Sequence, residues 1–418
     1  MKNHKLILFT HSYPYGLGEL WKHNELILLS KYYEEIRVVP FCYGGNLDRK
    51  DLFLDNIFVE DPLFVDDCMT IGKVECIFLF LFSFPIKNLI ESFRLLRSFR
   101  SWKRVNFIKF FISIKKRRLI LRKKIISDIL KNHKNDVVLY FYWGLGAVEF
   151  LPFVDISGFK NIVVRMHRYD LYEHENSNYL PFRKALMNRR ITILPSSDDG
   201  LGHLRKLYPR SKALVKTQRC GVMKPGFVVE GNTDDVLRIV SCSFLVKVKR
   251  ISMMVEAASK LNIPFKWIHI GYGDLFDQIQ SEINNQDLSE KFILVGKVNS
   301  EVVLDFYREN KFDLFINTSK SEGVPFSIME ALSVGIPVIA TDAGGTKEIV
   351  DNKVGAILSN DFDVSELTKE IEDYYYKPKV IKDSIKRSAI KRFEELCDME
   401  YLTKDFVKIL RSDYSSEL

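Results

Sequence analysis

The sequence has few cysteines and no pattern that would join them. Six occur in 418 residues, at positions 42, 68, 76, 220, 242 and 397, and none belongs to a C-x-x-C pair. Disulfide scaffolds and zinc sites need short, repeated spacings, so scattered cysteines indicate a reducing compartment. No histidine cluster and no convincing D-x-D pair is present either. The sequence therefore argues against a disulfide framework and gives no support to a metal site.

Long hydrophobic runs are also missing. The stretch from Leu6 to Phe9 is too short for the apolar region of a signal peptide. The apolar run from Cys76 to Phe84 falls well short of the roughly 20 residues that span a bilayer. We therefore expect a cytoplasmic protein. Its length and its hydrophobic content of 46% suffice for two domains with separate cores.

Acidic residues are scarce in one segment. From Lys87 to Lys124 there are 14 Lys or Arg residues and one acid, Glu91, so the local charge of +13 exceeds the +8 of the whole chain. The helical pattern over about 77–126 sets aromatic and apolar residues beside these cations. Such a segment suits an anionic membrane face, where each cation contributes on the order of 1 kcal/mol.

Two other interpretations of this basic segment remain open. It also fits a solvated helical insertion packed by its apolar side, or a nucleic-acid patch. No nucleic-acid-binding module is recognisable, so we predict no nucleic-acid partner. The favoured prediction is peripheral contact through 87–124 with the inner face of an anionic membrane.

The rest of the chain alternates short apolar strands with loops and helices. These transitions recur roughly every 25 to 30 residues, as a doubly wound parallel sheet requires. A polar, acidic break at about 222–235 separates two such series. We therefore predict an α/β protein with an N-terminal Rossmann-like domain over 1–222 and a second one over 223–385. The basic helical insertion would belong to the first domain.

The most informative stretch runs from Lys311 to Asp351. A buried strand over 313–317 opens into a polar loop, Pro325 suits the start of a helix, and a second strand follows from 338. Loops at the carboxyl ends of parallel strands form ligand crevices, and a helix N-terminus favours an anion such as pyrophosphate. Two carboxylates, Glu322 and Glu330, could accept sugar or ribose hydroxyls there. The alternative is structural: Glu322 would be an acid at the helix N-terminus that the helix dipole stabilises, and Glu330 would be a solvated helix residue.

The run E-G-V-P-F-S-I-M-E, from Glu322 to Glu330, resembles the E-x7-E motif of glycosyltransferase family 4. The following Gly335-Ile-Pro-Val-Ile-Ala-Thr-Asp-Ala-Gly-Gly345 and Glu348-Ile-Val extend this similarity. The resemblance implies the GT-B fold, in which two Rossmann-like doubly wound domains face a cleft. It also implies an acceptor-binding first domain, a donor-binding second domain and C-terminal helices, here 386–418, that cross back to the first.

The resemblance also implies which donor residues to expect in the second domain. Lys249 matches a phosphate-binding lysine, but Phe244 stands where the family has an arginine, and Arg250 is the neighbouring cation that could replace it. Glu322 would hold the donor sugar and Glu330 the ribose. The remaining donor residues are the loop of Gly323, Val324, Pro325 and Phe326, the glycines Gly271 and Gly273, and Lys297 and Val298 beside the base. Ordinary β/α turns are the alternative for the last two pairs.

Two segments of the first domain match the family in the same way. His167, in an R-x-H-x-x-D context, would lie near the transferred sugar, with Asp170 shaping its loop. Gly16, Gly18 and Glu19 would belong to the loop near the donor phosphate and the acceptor. From the residues alone, a structural role would be the favoured interpretation of His167, and a turn that simply requires glycine is as reasonable for the loop as a ligand site.

The resemblance implies retaining transfer of a sugar from a nucleotide-diphosphate sugar to a growing glycan. We expect a lipid-linked acceptor, a role in bacterial-type surface polysaccharide biosynthesis, and neither a metal nor a cofactor. One alternative is another GT-B enzyme, a nucleotide-sugar epimerase or a phosphorylase. A second alternative, suggested by Phe244, is an inactive donor-binding scaffold in a glycan-assembly complex.

Overall fold

The protein forms two compact α/β units. The computed structural model describes residues 4–15, 19, 21–44, 54–65, 71–72, 90–93, 104–132, 137–232, 234–298 and 302–412. Unit 1 consists of Met1–Gln218 and Thr403–Leu418, and unit 2 of Arg219–Leu402. Each unit is built on its own parallel sheet with its own hydrophobic core.

Unit 1 contains a seven-stranded parallel sheet. Its strands are β1 Lys5–Thr10, β2 Glu35–Pro40, β3 Ile57–Val59, β4 Val137–Phe141, β5 Asn161–Met166, β6 Thr192–Pro195 and β7 Leu214–Val215, in the order β3-β2-β1-β4-β5-β6-β7. Both faces of the central strands are covered, which explains why Val137 to Phe141 is a continuous apolar run with every residue buried. Chain order reverses between β1 and β4, where open α/β sheets form their ligand crevice.

Helices cover the sheet of unit 1. They are α1 Lys22–Ser30, α2 Arg104–Leu121, α3 Lys124–Asn132, α4 Arg168–Leu171, α5 Arg183–Met187 and α6 Asp198–Leu207, with 3-10 helices at Gly146–Phe153 and Glu173–Asn176. The basic segment is therefore helical where the structure describes it, while 73–89 and 94–103 lie outside the described residues. On α2, Phe110 and Ile114 are buried in a cluster with Tyr179 and Phe182. This helix thus packs by its apolar side on unit 1.

Unit 2 contains a six-stranded parallel sheet. Its strands are β8 Leu237–Cys242, β9 Phe265–Ile270, β10 Phe292–Gly296, β11 Leu314–Asn317, β12 Val338–Thr341 and β13 Gly355–Leu358, in the order β10-β9-β8-β11-β12-β13. The helices are α7 Ile251–Lys260, α8 Phe276–Asn285, α9 Val303–Asn310, α10 Phe326–Ser333, α11 Val364–Tyr375, α12 Lys379–Leu396 and α13 Met399–Arg411, with 3-10 helices at Lys247–Lys249 and Gly344–Glu348. The order reverses between β8 and β11, next to the two predicted glutamates.

The boundaries between the units differ from the predicted ones at 222 and 385. Val222 pairs with Asp398 and the Val229 N–H donates to the Val334 carbonyl, so the polar break belongs to unit 2. Helix α12 also belongs to unit 2, where Phe393 is buried. The chain returns to unit 1 at Thr403, within α13, and Phe406 is buried in the core of unit 1.

The structure confirms the predicted fold class of two doubly wound parallel sheets. That prediction rested mainly on the buried apolar strands, and β12 begins at Val338 as expected. Within the described residues, no helix is long and apolar enough to cross a membrane.

Candidate functional site

The predicted phosphate-binding lysine and the predicted sugar-binding glutamate meet at the reversal point of the unit 2 sheet. Lys249 ends the 3-10 helix that follows β8, and Glu322 lies in the loop that follows β11. The Lys249 Nζ atom is 2.5 Å from Glu322 Oε1, and Asn317 Nδ2 lies 3.4 Å from the same oxygen. Both side chains of the ion pair are largely buried. Lys249 and Glu322 therefore place a cation and a hydroxyl acceptor side by side at the carboxyl edge of the unit 2 sheet.

Helix α10 begins directly after Pro325, one residue later than expected, and Gly335 lies past its end at φ +79°. Its first turn leaves backbone N–H groups at the same edge as Lys249. Glu330 lies on this helix, and burial raises the pKa of its carboxyl to about 7. Among the described residues no donor hydrogen-bonds to this carboxylate. Glu330 is therefore a half-buried carboxyl on this helix rather than a fully exposed one.

The Glu322 loop rests on a second glycine loop. Gly344 has φ +56°, and a Cβ atom added there would lie 2.0 Å from the Glu322 carbonyl oxygen. The next residue, Gly345, donates its N–H to the Gly323 carbonyl at 2.8 Å. This close approach of two backbones requires glycine and fixes the loop of Gly323, Val324, Pro325 and Phe326.

Arg250 has a different surrounding from the one expected for a phosphate-binding cation. Its Nε and Nη1 atoms donate to the carbonyls of Thr318 and Asn360, each at 2.6 Å. Its Nη2 atom donates to the Ser319 carbonyl and to Asn360 Oδ1, at 3.3 and 3.2 Å. The guanidinium thus braces the loop after β11 and has one N–H left.

The position of the missing arginine is exposed. Phe244, in the loop after β8, has 74% of its surface accessible to solvent. The glycines predicted near the nucleotide lie against this loop, because a Cβ atom on Gly271 or Gly273 would come within 1.8 or 2.6 Å of the Ser243 or Leu245 carbonyl oxygen. Glycine is thus required at both positions because any side chain would collide with the loop after β8. After β10, Lys297 is exposed and Val298 is half-buried.

A buried hydrogen-bond network, which the sequence reasoning missed, fixes the loop that carries Phe244. Trp267 Nε1 donates to Ser241 Oγ at 3.1 Å, and His269 Nδ1 lies 2.8 Å from the same oxygen. His269 Nε2 is 3.2 Å from the Ser243 carbonyl, which can only accept, so this nitrogen carries the proton. Burial lowers the pKa of His269 to about 4. The imidazole is therefore neutral and its orientation is fixed.

In unit 1, Glu19 forms the centre of a buried charged cluster. Its Oε2 atom accepts the N–H groups of Ser12 and Tyr13 at 2.6 and 2.7 Å, while Oε1 accepts Trp143 Nε1 and Lys22 Nζ. Burial raises the pKa of Glu19, but the Lys22 charge and these hydrogen bonds outweigh it and lower the pKa to about 2. Gly16 and Gly18, predicted in the same loop, lie outside the described residues.

Two aromatic rings, those of Tyr142 and Trp143, lie between Lys22 and the predicted His167. The Lys22 Nζ atom lies 3.7 Å from the centre of the Tyr142 ring and 5.2 Å from that of Trp143. Burial lowers the pKa of Lys22 to about 8, and Glu19 opposes that shift, so the pair stays ionised at neutral pH. The His167 ring lies 4.8 Å from both aromatic rings.

His167 follows β5, and its ring is enclosed by neighbouring side chains. Burial, then the charges of Arg165 and Lys22, holds the pKa of its imidazole well below the ordinary range. Its Nε2 atom is buried and has no hydrogen-bond partner among the residues that the structure describes. Asp170 accepts the N–H groups of His167 and Gly144, which ties the His167 loop to the end of β4. Burial raises the pKa of Asp170 to about 6.

The sequence signals for Lys22 and Trp143, which were not predicted, were weak. Lys22 forms an i,i+3 pair with the predicted Glu19 of the kind that a helix usually exposes, and nothing in the pattern reveals that both side chains are buried. Trp143 follows a buried strand and looks like an ordinary core aromatic. Their role depends on which strands are neighbours, and that order is set by the whole sheet.

Comparisons with known proteins relate unit 2 to glycosyltransferases. Residues 227–392 match the model of the family described as glycosyl transferases group 1. The amylovoran biosynthesis glycosyltransferase AmsK of Erwinia amylovora is 31% identical over 140 residues, 31% of this chain and 34% of that protein. The putative colanic acid biosynthesis glycosyltransferase WcaL of Escherichia coli K12 is 27% identical over 268 residues, 60% of this chain and 63% of that protein. The alignments thus span less than two thirds of these two relatives.

Solved glycosyltransferases share the fold over nearly the whole chain. The apo lipopolysaccharide outer core galactosyltransferase WaaB is similar with a TM-score of 0.67 at 15% identity, covering 99% of this chain and 100% of that one. Anabaena HepE in complex with UDP-glucose has a TM-score of 0.64 at 17% identity, with the same coverage. The chain therefore has the two-domain α/β fold of GT-B glycosyltransferases, and its residues 227–392 match the family of glycosyl transferases group 1.

Proposed function

We propose that the protein transfers a sugar from a nucleotide-diphosphate sugar to a growing glycan, with retention at the anomeric carbon. The observation that carries this proposal is the meeting of Lys249, Glu322 and the start of α10 at the reversal point of the unit 2 sheet. It gains support from the match of 227–392 to the family of glycosyl transferases. The named relatives act in amylovoran and colanic acid biosynthesis, which supports a role in surface polysaccharide synthesis.

The donor would bind along the carboxyl edge of the unit 2 sheet. Lys249 and the N–H groups that begin α10 would bind the diphosphate and stabilise the charge that develops on it as the glycosidic bond breaks. Glu322, an acceptor-only group, would bind hydroxyls of the donor sugar, and Glu330 would bind those of the ribose. When the donor binds, the Lys249–Glu322 ion pair would break, and each of the two side chains would contact the donor instead.

Two features of the reaction rest on the resemblance. His167 would lie near the transferred sugar, where its neutral Nε2 atom could hydrogen-bond to a hydroxyl. The leaving phosphate would take the proton of the acceptor hydroxyl, and no metal ion would be needed. Among the described residues, no group of three or more His, Cys, Asp and Glu side chains could hold a metal ion.

The acceptor would be lipid-linked, and the protein would contact an anionic membrane through 87–124. In the described part of this segment, four apolar residues are exposed: Ile90, Phe93, Val105 and Ile108. Exposed apolar and basic side chains together favour the boundary between headgroups and acyl chains. A cosedimentation assay with phosphatidylglycerol vesicles would detect this contact, and Phe93→Ser with Ile108→Ser should weaken it.

The donor assignment is tested with a panel of nucleotide sugars followed by thermal shift. A ligand that binds only the folded protein raises its apparent stability, by about 2.7 kcal/mol at a hundredfold excess over Kd. We expect one nucleotide sugar to stabilise the wild type and Glu322→Gln to abolish most of that shift. Glu256→Gln, a matched change at an exposed carboxylate on α7, should leave the shift unchanged.

A transfer assay then separates the candidate activities. Release of nucleoside diphosphate only in the presence of a glycan acceptor would support transfer. Conversion of the donor without an acceptor would identify an epimerase or a phosphorylase instead. If Glu322→Ala leaves glycan assembly intact in cells, the protein is a scaffold and the proposal is wrong.

A further inference from the structure

Two large aromatic side chains are exposed at the carboxyl edge of the unit 2 sheet. Phe244 lies in the loop after β8 and Tyr272 in the loop after β9, with 74% and 59% of their surfaces accessible to solvent. Strands β8 and β9 are parallel neighbours, so both loops leave the sheet at the same edge. A single exposed apolar residue is ordinary, but large apolar groups exposed together at a candidate site favour a ligand contact.

The backbone on both sides of Phe244 is fixed. Ser243 donates its N–H to the Ile270 carbonyl at 3.0 Å, and Leu245 donates its N–H to the Tyr272 carbonyl at 3.3 Å. The Leu245 side chain is fully buried in the core of unit 2. The loop therefore holds Phe244 outward in a defined position, which lowers the entropy cost of binding a ligand there.

Tyr272 is fixed in a similar way. It stands between Gly271 and Gly273, where added Cβ atoms would lie 1.8 and 2.6 Å from carbonyl oxygens of the loop after β8. Its ring lies 5.2 Å from that of Phe276, the first residue of α8, with 34° between the ring planes. Tyr272 therefore has one packed side, and its loop rests on the loop that carries Phe244.

These two aromatic residues lie on one side of the candidate phosphate-binding lysine, and the candidate sugar-binding glutamate lies on the other. The strand order is β9-β8-β11. The loop after β8 contacts the β9 loop beside Phe244 and continues to Lys249, whose Nζ atom lies 2.5 Å from Glu322 Oε1 in the loop after β11. With the donor sugar at Glu322 and the diphosphate at Lys249, the nucleoside would extend toward Phe244 and Tyr272.

The position of Glu330 supports this direction. Burial, and then the nearby Glu330 carboxylate, raise the pKa of the Cys242 thiol to about 12. Cys242 is the last residue of β8 and precedes Phe244 by two positions. A ribose bound by Glu330 would therefore lie over the end of β8, with its base next to Phe244.

An aromatic residue at position 244 suits a base rather than a phosphate. The phenylalanine ring carries no charge and donates no hydrogen bond, whereas every nucleobase has a flat face that stacks on aromatic rings. We propose that Phe244 and Tyr272 form the surface on which the nucleobase of the donor stacks, an inference that rests on the proposed function. Where the resemblance implies a phosphate contact, this chain would contribute base stacking instead.

The test measures binding of nucleoside diphosphates by isothermal titration calorimetry. UDP, dTDP, GDP and ADP are compared on the wild type, and the one that binds most tightly is used with the variants. We expect Phe244→Ala and Tyr272→Ala each to weaken its binding at least about fivefold, as expected for the loss of one stacking contact. Phe244→Tyr, which keeps an aromatic ring, should recover most of the affinity.

Tyr376→Ala is the matched control. Tyr376 follows α11 and is 70% exposed, and the neighbouring Tyr375 donates to the carbonyl of Asp235, which precedes β8 at the opposite edge of the sheet. This variant should bind the nucleoside diphosphate as the wild type does. All of these positions are exposed, so we expect each variant to fold, and thermal unfolding checks this.

Phe244→Lys distinguishes base stacking from phosphate binding. Stacking predicts weaker binding by this variant, because the ring is lost. Tighter binding with a steeper dependence on salt would show that position 244 faces the diphosphate, and would overturn the inference.

The remaining outcomes separate this inference from the proposed function. Unchanged binding in either alanine variant, or an equal loss in Tyr376→Ala, would overturn the inference and leave the proposed function standing, since the nucleotide still binds. If none of the four nucleoside diphosphates binds the wild type, the proposed donor is wrong and the inference fails with it.

Discussion

At the scale of single residues, the glutamates Glu19, Glu322 and Glu330 share one residue type but differ in their surroundings. These surroundings decide which contacts each carboxyl group can make. Glu322 is paired with Lys249, while Glu330, eight positions later, has no hydrogen-bond donor among the described residues and a pKa raised to about 7. Glu19 has a pKa lowered to about 2, because three donors and a buried lysine surround it. The sequence offers all three as glutamates near helix starts, and only the tertiary structure distinguishes them.

Donor binding should depend on the ionisation of Glu330. Below pH 7 this carboxyl is protonated and loses acceptor capacity, so the Kd for the nucleotide sugar should rise by up to about tenfold per pH unit. A nucleotide sugar carries its diphosphate as a diester, which does not titrate in this range. Titrations between pH 5.5 and 8.5 should show this slope in wild type and in Glu256→Gln, and a flat profile in Glu330→Gln. An unchanged slope in Glu330→Gln would contradict the assignment.

Removing the charge of Lys22 should destabilise unit 1 severely. Lys22→Met leaves the buried Glu19 carboxylate without its cation, which costs about 3–5 kcal/mol. Glu19→Gln/Lys22→Met should recover much of the loss, because no buried charge remains. Lys260→Met, which breaks an exposed i,i+4 pair, should cost less than about 1 kcal/mol. Urea denaturation followed by circular dichroism measures all three variants.

Acid should weaken the same cluster in a defined window. Since the pKa of Glu19 is lowered from 4.5 to about 2, its stabilising contribution is complete above pH 4.5 and is lost as the pH falls toward 2. The difference in unfolding free energy between wild type and Glu19→Gln should therefore shrink across this window. A constant difference would show that the carboxylate does not stabilise the folded state.

At the scale of elements, loops at the carboxyl ends of the strands hold each other in place. Gly344 supports the Glu322 loop, Gly271 lies against Ser243, and Arg250 braces the loop after β11. The resemblance associates some of these residues with the donor. In the structure, however, their first contacts are with neighbouring loops. Such residues position the site and can be required for binding without touching a ligand.

Gly344→Ala should displace the Glu322 loop. The added Cβ atom would lie 2.0 Å from the Glu322 carbonyl oxygen, and φ +56° is strained for alanine. We expect lower stability and loss of the thermal shift given by the nucleotide sugar. Gly202→Ala, within α6 and with no atom near the added methyl group, should instead stabilise the protein by about 0.5–1 kcal/mol. Full donor binding by Gly344→Ala would refute the supporting role.

At the scale of the whole molecule, the last helix completes unit 1. The Phe406 ring lies 5.1 Å from that of Tyr140 and 4.5 Å from the guanidinium carbon of Arg165, which pairs with Glu25. Near the end of the same helix, Asn161 donates to the Ile409 carbonyl at 2.8 Å. The core of unit 1 is therefore formed by both ends of the chain.

Phe406→Ala should destabilise unit 1 selectively. Removing a buried aromatic side chain costs about 3–5 kcal/mol and here also uncovers Arg165. Hydrogen exchange should accelerate in β4 and β5 and stay unchanged in β8 and β11 of unit 2. Tyr401→Ala, at an exposed position of the same helix, is the matched control and should leave both sheets protected. Equal acceleration in both sheets would contradict the assignment of α13 from Thr403 onward to unit 1.

The sequence by itself determined the fold class and the E-x7-E stretch, because both are local. Buried parallel strands are continuous apolar runs, and the loop and helix from Glu322 to Glu330 lie in one segment. Only the tertiary structure showed that Lys249 reaches Glu322, that Lys22 is buried beside Trp143, and that α2 brings Lys116 to the Phe41 ring. These contacts join residues from different strands, and the order of strands in a sheet is not written in any one segment of the chain.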